Sequence, residues 1–540
     1  MRTRWRRPLT IAVAVLLVAG ACSGGHSRAA SSRTGATRAR RAATARARDG
    51  GVLRLGMVTP TSLDPAQARS PSEVLAADLL FDTLTAFDPV ARDVRPAIAS
   101  RWQPSPDQRH WDFVIRPGAR FGNGRPITSA DVKYSLERLA RKGSGAPELV
   151  VGQLEPIAGF RGFRVDGTAP TLAGVTTPAP DVVHFDLDTP LSSLPVLLCH
   201  PVFGIVPREA VERPSPPFGE QPVGSGSFAF RSRSGDVIHL VRAVGSHSHV
   251  DGVDLVLEAD AAASYAAFRA GAVDWTLVPP ERADDAASRF GRGGFAPYLA
   301  VLFYGFNLKS PKFADPRFRE AILHAIDRQA ITGVVYGDTV RGLDGAVARG
   351  VPGFQSDPCG TKCAHDPARA RALVSEAFPD GKVPEVEIDF DDDDTQEAIA
   401  KAMQANLRAV GIPAGLRPHP FDQYAQLVDR GQEELFRLGW IGVYPAADNF
   451  LTPLFLTGND TNVTGFSNGT IDDLLKTGRQ EPDPAKRLGL YQDAERRIMD
   501  MVPIIPIAQF QTQSVIGERV AGLVVNPLGT FDAAAVWLTR

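Results

Sequence analysis

Four cysteines are spread through 540 residues, and no second Cys or His pair follows Cys359 and Cys363 at ligand spacing, so a zinc site built on them is not expected. Enzyme signatures are missing as well. There is no G-x-S-x-G elbow, no H-E-x-x-H, no P-loop and no G-x-G-x-x-G opening a helix after a strand; the chain is expected not to be an enzyme, and no cofactor is expected. Acids are absent from the first 48 residues, which carry 11 Arg and no Lys, so the remaining 492 hold 48 basic groups against 61 acids, a formal charge of −13. A body of that sign is a poor partner for nucleic acid. After residues 9–21, no apolar run is long enough to span a membrane.

What is present begins with the N-terminus. Arg2, Arg4, Arg6 and Arg7 precede the apolar residues 9–21, a run too short to cross a ~30 Å hydrocarbon core and therefore read as an export signal. It ends in Val18-Ala19-Gly20-Ala21-Cys22, which resembles a bacterial lipobox with Ala19 where Leu is usual. The resemblance implies removal of residues 1–21 and diacylation of Cys22, and two acyl chains give stable anchoring to the extracytoplasmic face of the cell membrane. An ordinary secretory peptide cleaved near Ala21 is the alternative. Residues 22–49 read as the lipidated Cys and a flexible Arg/Ser/Ala-rich tether, whose arginines either hold it against anionic lipid or simply solvate a spacer.

The body exceeds what one hydrophobic core normally supports, so at least two domains are expected. Pro and Gly are frequent without period, which suits a loop-rich α/β protein. In an oxidising compartment Cys359 and Cys363 can close a small disulfide loop, with a pair of free thiols as the alternative. Cys199 lies in an apolar segment and reads as a buried small hydrophobe. His247 and His249 have H-x-H spacing but Gly and Ser neighbours, so an exposed turn is expected rather than a ligand pair. Asp391 to Asp394 lack EF-hand spacing and read as a solvated loop. No metal is expected.

Residues 110–139 are the most informative stretch. Trp111, Phe113 and Ile115 alternate as one face of a strand, and Gly118, Gly122 and Gly124 permit the turns after it. Thr128 or Ser129 can cap a helix with Asp131 in its first turn and Val132, Leu136 and Leu139 on its buried face. This segment resembles the signature of the family 5 extracellular solute-binding proteins, the ligand-capturing subunits of peptide, nickel and related ABC importers. Further matches follow in family order: Ser62-Leu63-Asp64-Pro65, the turn Pro222-Val223-Gly224-Ser225-Gly226-Ser227-Phe228, Phe306-Asn307-Leu308, the block from Phe313 to Arg328, and the returning strand at Met501 to Ile507.

The resemblance implies an α/β fold, a periplasmic-binding-protein-like type II two-lobed clamp with an additional third domain. Lobe I would be built from residues 50–92, 222–305 and 506–540, the extra domain from 93–221, and lobe II from 306–505. It further implies a monomer that encloses a peptide-like or other small solute between its lobes and docks on an ABC permease. A non-transport use of the same clamp, as a scaffold or regulator in cell-envelope assembly, is the rival. The ligand-facing stretches implied are Arg69, Ser70 and Pro71 in one loop and Gly439, Trp440, Val443 and Tyr444 in the other. Peptide-binding members commonly carry Asp at the position of Val443, where it pairs with the free α-ammonium group; Asp448 matches a different family position. Leaving an ammonium unpaired in a water-poor cleft costs several kcal/mol, so blocked peptides or anionic solutes are expected, with Arg69 as the positive group.

Overall fold

The architecture is that of a computed structural model, in which residues 47–539 are described. The expected export signal, Cys22 and the tether as far as residue 46 lie outside the described residues.

In the signature segment the alternation and helical spacing translate directly into buried faces. His110–Ile115 is a strand whose Trp111, Phe113 and Ile115 are buried. Thr128 caps the helix Ser129–Ala140; its N–H and hydroxyl donate to the Asp131 carboxylate, which also receives two bonds from Arg125. Val132, Leu136 and Leu139 point into the same core. Here the strand belongs to an antiparallel sheet in the order Ala99–Pro104, His110–Ile115, Val182–Asp186, Val175–Ala179. One face of that sheet is apolar and the other meets solvent, the usual division for an antiparallel sheet.

A second, 11-stranded sheet carries the two lobes. Its lobe I half runs Phe228–Ser234, Val237–Arg242, Gly252–Glu258, Val52–Val58 and Trp275–Leu277. The lobe II half runs Ala414–His419, Val386–Asp391 and Leu435–Ile441, and the short strand Val340–Gly342 pairs off this path with Ile504–Ile516. Two long antiparallel strands, Phe295–Phe306 and Ile504–Ile516, lie between and belong to both halves. Their pairing breaks register between Pro297 and Val301 and again between Leu302 and Phe303. Such irregularities bend a strand pair locally without abolishing its ladder.

The apolar cores follow the same division. Lobe I residues such as Leu55 and Leu255 share one continuous core with Phe113, Phe185 and Leu194 of the extra domain. Lobe II has its own core, including Phe303, Phe318, Phe390 and Phe450. The disulfide Cys359–Cys363 lies on that second core, with Cα atoms 5.6 Å apart. Cys199 is a buried free thiol. Asp391 to Asp394 do not form the expected solvated loop: Asp391 ends a strand and is buried, and Asp393 caps the helix Asp394–Ala409. Four consecutive acids suggest hydration, yet a carboxylate at an N-cap is stabilised by the unpaired N–H groups there.

The start of the body is pinned to lobe I. Gly50 N–H donates to the His249 carbonyl at 2.7 Å, Asp49 pairs with the His249 ring at 2.8 Å, and Gly51 N–H donates to Asp251 at 2.9 Å. The C-terminal segment is tied down beside it through Asp274, only 3% exposed, which takes two side-chain bonds (2.9 and 3.1 Å) and one backbone N–H bond (2.9 Å) from Arg54 and two side-chain bonds from Arg519 (2.6 and 2.7 Å). Removing the shared carboxylate leaves two guanidinium groups with a lost partner. Asp274→Asn is therefore expected to cost about 2 kcal/mol, less than for a fully buried pair because the arginines reach solvent. The check is the melting temperature of the variant; an unchanged value would mean the clamp contributes nothing net.

Candidate functional site

The loop before the first lobe I helix is held by one acid. Glu73 accepts from the backbone N–H groups of Thr61 (2.9 Å), Arg69 (2.9 Å) and Ser70 (3.0 Å) and from the Thr61 hydroxyl (2.6 Å). Ser70 is the N-cap and Pro71 the first residue of the helix Pro71–Leu80, and Ser70 with Glu73 forms a reciprocal capping box. Burial opposes charge on Glu73, but its four donors outweigh that and bring the pKa down from the ordinary 4.5 to about 2. The Arg69 side chain is exposed, and its guanidinium donates to the Gly145 carbonyl of the extra domain. At the other end of the same helix, a Cβ on Gly224 would lie 1.8 Å from the Leu80 carbonyl oxygen, so the matched Pro222 to Phe228 turn is a packing contact.

Gly439 and Trp440 sit on the strand Leu435–Ile441, opposite Leu302 and Val301 of a shared strand. The Trp440 indole is half-buried, and its N–H donates to the Asn449 carbonyl at 2.7 Å. Gly442 follows with no room for a side chain: a Cβ there would meet the Phe450 ring at 2.7 Å. That close approach lets the Asn449 amide oxygen accept from Val443 N–H at 2.7 Å.

Val443 and Tyr444, 3% and 4% exposed, belong to the core shared by lobe I and the extra domain although the chain around them is in lobe II. Polar bonds surround this insertion. Asp448 is buried and accepts from the Ser193 hydroxyl (2.7 Å) and the Tyr444 hydroxyl (3.1 Å). Burial pushes the Tyr444 phenol upward, and the neighbouring Asp448 charge adds to it. Asn449 donates to Gln153 at 3.0 Å, Ser192 N–H donates to the Arg479 carbonyl at 3.0 Å, and Arg479 Nε donates to the Pro190 carbonyl at 3.0 Å.

Each sequence-predicted loop is thus brought against the extra domain, Arg69 at Gly145 and the 443–449 segment at Gln153 and Ser193. Among the described residues no hydrogen bond or ion pair joins the 69–71 loop to the 439–444 segment. A groove of about 790 Å³ lies elsewhere, bordered by Thr61, Ser62, Arg213, Glu220, Arg231 and Arg233. Sequence reasoning missed Glu73, Gln153 and Ser193. For Glu73 a signal was available, the Ser-x-x-Glu spacing of a capping box; the other two carry none.

Two lobes with separate cores, two shared strands, and one loop from each lobe bonded to the extra domain at Gly145, Gln153 and Ser193 make up the geometry of an enclosing protein. The model for bacterial extracellular solute-binding proteins, family 5 Middle, matches residues 93–462. The chain belongs to this solute-binding family. Among its relatives, the dipeptide-binding protein DppE of Bacillus subtilis (strain 168) is 23% identical over 492 residues, 88% of this chain and 89% of that one. The probable deoxycholate-binding periplasmic protein YgiS of Escherichia coli (strain K12) is 26% identical over 465 residues, 83% and 86% of the respective chains. The fold also matches the unliganded open form of MppA, a periplasmic murein tripeptide binding protein, with a TM-score of 0.83 and 24% identity over 91% of this chain and 98% of that one.

Because Glu73 has its pKa depressed on folding, its contribution is fully present above pH 4.5 and is lost as pH falls through about 2. Glu73→Gln is expected to lower stability at pH 7 by about 2 kcal/mol, and the gap to the parent protein is expected to narrow by pH 3. Thermal melts of both proteins at the two pH values read this out. A gap that does not narrow would assign the loss to side-chain shape rather than charge.

Proposed function

We propose that this protein is the capture subunit of an ABC importer. It is exported, anchored through lipid on Cys22 at the extracytoplasmic face of the membrane, and works as a monomer that closes its lobes on a small solute and hands it to the permease. The observation that carries this reading is the pair of shared strands with broken register between two separately packed lobes. A ligand touching both sides of such a joint biases the angle between them, in proportion to its preference for the closed arrangement. No catalytic step forms part of the proposal.

Peptide-like solutes are the leading ligand class, because relatives are named for peptides, and the relative named as a probable deoxycholate-binding protein supports keeping a non-peptide solute beside them. Arg69, Ser70 and Pro71 are proposed as one ligand-facing edge, and Gly439, Trp440, Val443 and Tyr444 as the other, with Val443 and Tyr444, buried against the extra domain here, meeting a ligand only when that contact opens. Val443 offers no carboxylate to a free α-ammonium group, whereas Arg69 offers a guanidinium to a carboxylate. A peptide blocked at its N-terminus, or another anionic solute, fits this pair of side chains better than a free-amino peptide does.

Native mass spectrometry of the protein isolated from its own source, followed by denaturation, is expected to release one discrete anionic or N-blocked solute. Arg69→Ala is expected to weaken binding of that solute tenfold or more, equivalent to about 1.4 kcal/mol. A protein that comes out empty and binds no small solute would favour the envelope scaffold instead.

A further inference from the structure

The solvent-facing side of the four-stranded sheet carries a cluster that solute capture does not use. His110 lies directly opposite Asp186, and Asp112 directly opposite His184, on adjacent antiparallel strands. Residues two apart on a strand share a face, so all four side chains converge on one patch. His110 Nδ1 is 2.6 Å from Asp186 Oδ1, and His184 Nε2 is 3.1 Å from the same oxygen. The other nitrogen of His184, Nδ1, is 2.7 Å from Asp112 Oδ1.

His184 is the informative member. Asp112 is acceptor-only when ionised, so it fixes the proton of His184 on Nδ1, and the Nε2 lone pair is then aimed at a second carboxylate. That arrangement is repulsive unless a cation sits between Nε2 and Asp186. A proton can fill the role, giving an imidazolium that donates to both carboxylates. A divalent cation can fill it too, and it gains the His110 nitrogen on the far side.

We propose that this face binds one divalent transition-metal cation of the Zn²⁺ class through His110 Nδ1, His184 Nε2 and the Asp186 carboxylate, with Asp112 as the residue that orients His184. The donor atoms of the three ligands lie within 4.8 Å of one another. Adjacent ligands on tetrahedral zinc are about 3.3 Å apart given bonds of about 2.0–2.1 Å, so small side-chain rotations suffice. A carboxylate behind a ligating imidazole is the usual outer-shell support for such a metal. The side chains of His110 and Asp186 are 53% and 41% exposed, which leaves the fourth position open to water or to a ligand from outside.

A comparison within the molecule separates this cluster from an ordinary His–Asp pair. His239 and Asp254 also face each other across two strands, at 2.7 Å, but no further His, Cys or acid completes a set there among the described residues. That pair satisfies itself with a single proton. His184 bridges two carboxylates and cannot do so as a neutral ring.

The test is calorimetric titration of ZnCl₂ into the metal-stripped full chain, free of any polyhistidine tag, at pH 7.5. One equivalent is expected to bind with a dissociation constant on the order of 1 μM, about 8 kcal/mol. His184→Ala and Asp186→Ala are expected to abolish it, and Asp112→Asn to weaken it about 10- to 100-fold. His239→Ala and the double change His247→Ala with His249→Ala are expected to leave it intact. Apo melting temperatures show whether each variant is folded, and Asp112→Asn, which keeps the side-chain shape, retains the test if an alanine variant does not fold. Failure of the parent chain to bind tighter than about 1 mM, or an equivalent that survives Asp112→Asn at full affinity, would overturn the proposal.

Discussion

Every movement available to the two lobes has to pass through the pair of strands Phe295–Phe306 and Ile504–Ile516. These strands are bonded to each other along most of their length, so neither can shift without the other. Their pairing changes register where they cross between the half-sheets, and that is also where the two apolar cores stay separate. Apart from Val443 and Tyr444, which lobe II inserts into the other core, separate cores confine the apolar surface that a change of angle would expose, and with it the area-dependent cost of opening. A single core running through both lobes would have made the molecule one rigid block. Lobe I and the extra domain do share a core, and they make up such a block between them.

Against that block lobe II is held by a short insertion. Val443 and Tyr444 enter the apolar core, while Asp448, Asn449 and Arg479 place polar bonds around them. The apolar part supplies attraction without direction, and the hydroxyl, amide and guanidinium contacts fix the angle. The loop carrying Arg69, Ser70 and Pro71 is fixed in a different way, by four donors converging on Glu73. The 69–71 loop is therefore rigid through electrostatics within lobe I, and the 443–449 segment takes its position from contacts with another domain.

How much of this was legible in the sequence depended on distance along the chain. The strand His110–Ile115 and the helix Ser129–Ala140 could be read because their periodicity and cap lie within a few residues. The matched block from Phe313 to Arg328 was also legible, and its role is now seen to be structural: Asp315 and Asp327 cap successive helices, and buried Arg319 donates to the carbonyls of Phe313, Met501 and Val502. The candidate site was legible only as two loops. Ser193 and Asp448 are 255 positions apart, and Asn449 and Gln153 are 296 apart, so no local pattern announces either pair. The His and Asp residues on the extra-domain sheet were hidden for the same reason, since His110 and His184 become neighbours only through strand pairing. The acids at 391–394 misled because composition reports average solvation and says nothing about a cap.

The pinning of Asp49, Gly50 and Gly51 to the 249–251 turn decides how load enters the molecule. Whatever holds the chain upstream of residue 47 pulls on the rigid block of lobe I and the extra domain, and the path of that pull never crosses the shared strands. Lobe II lies beyond that path, joined to the block through the shared strands and the 443–449 insertion. A pull applied at residue 49 is thus borne by hydrogen bonds within lobe I before it can reach the angle between the jaws.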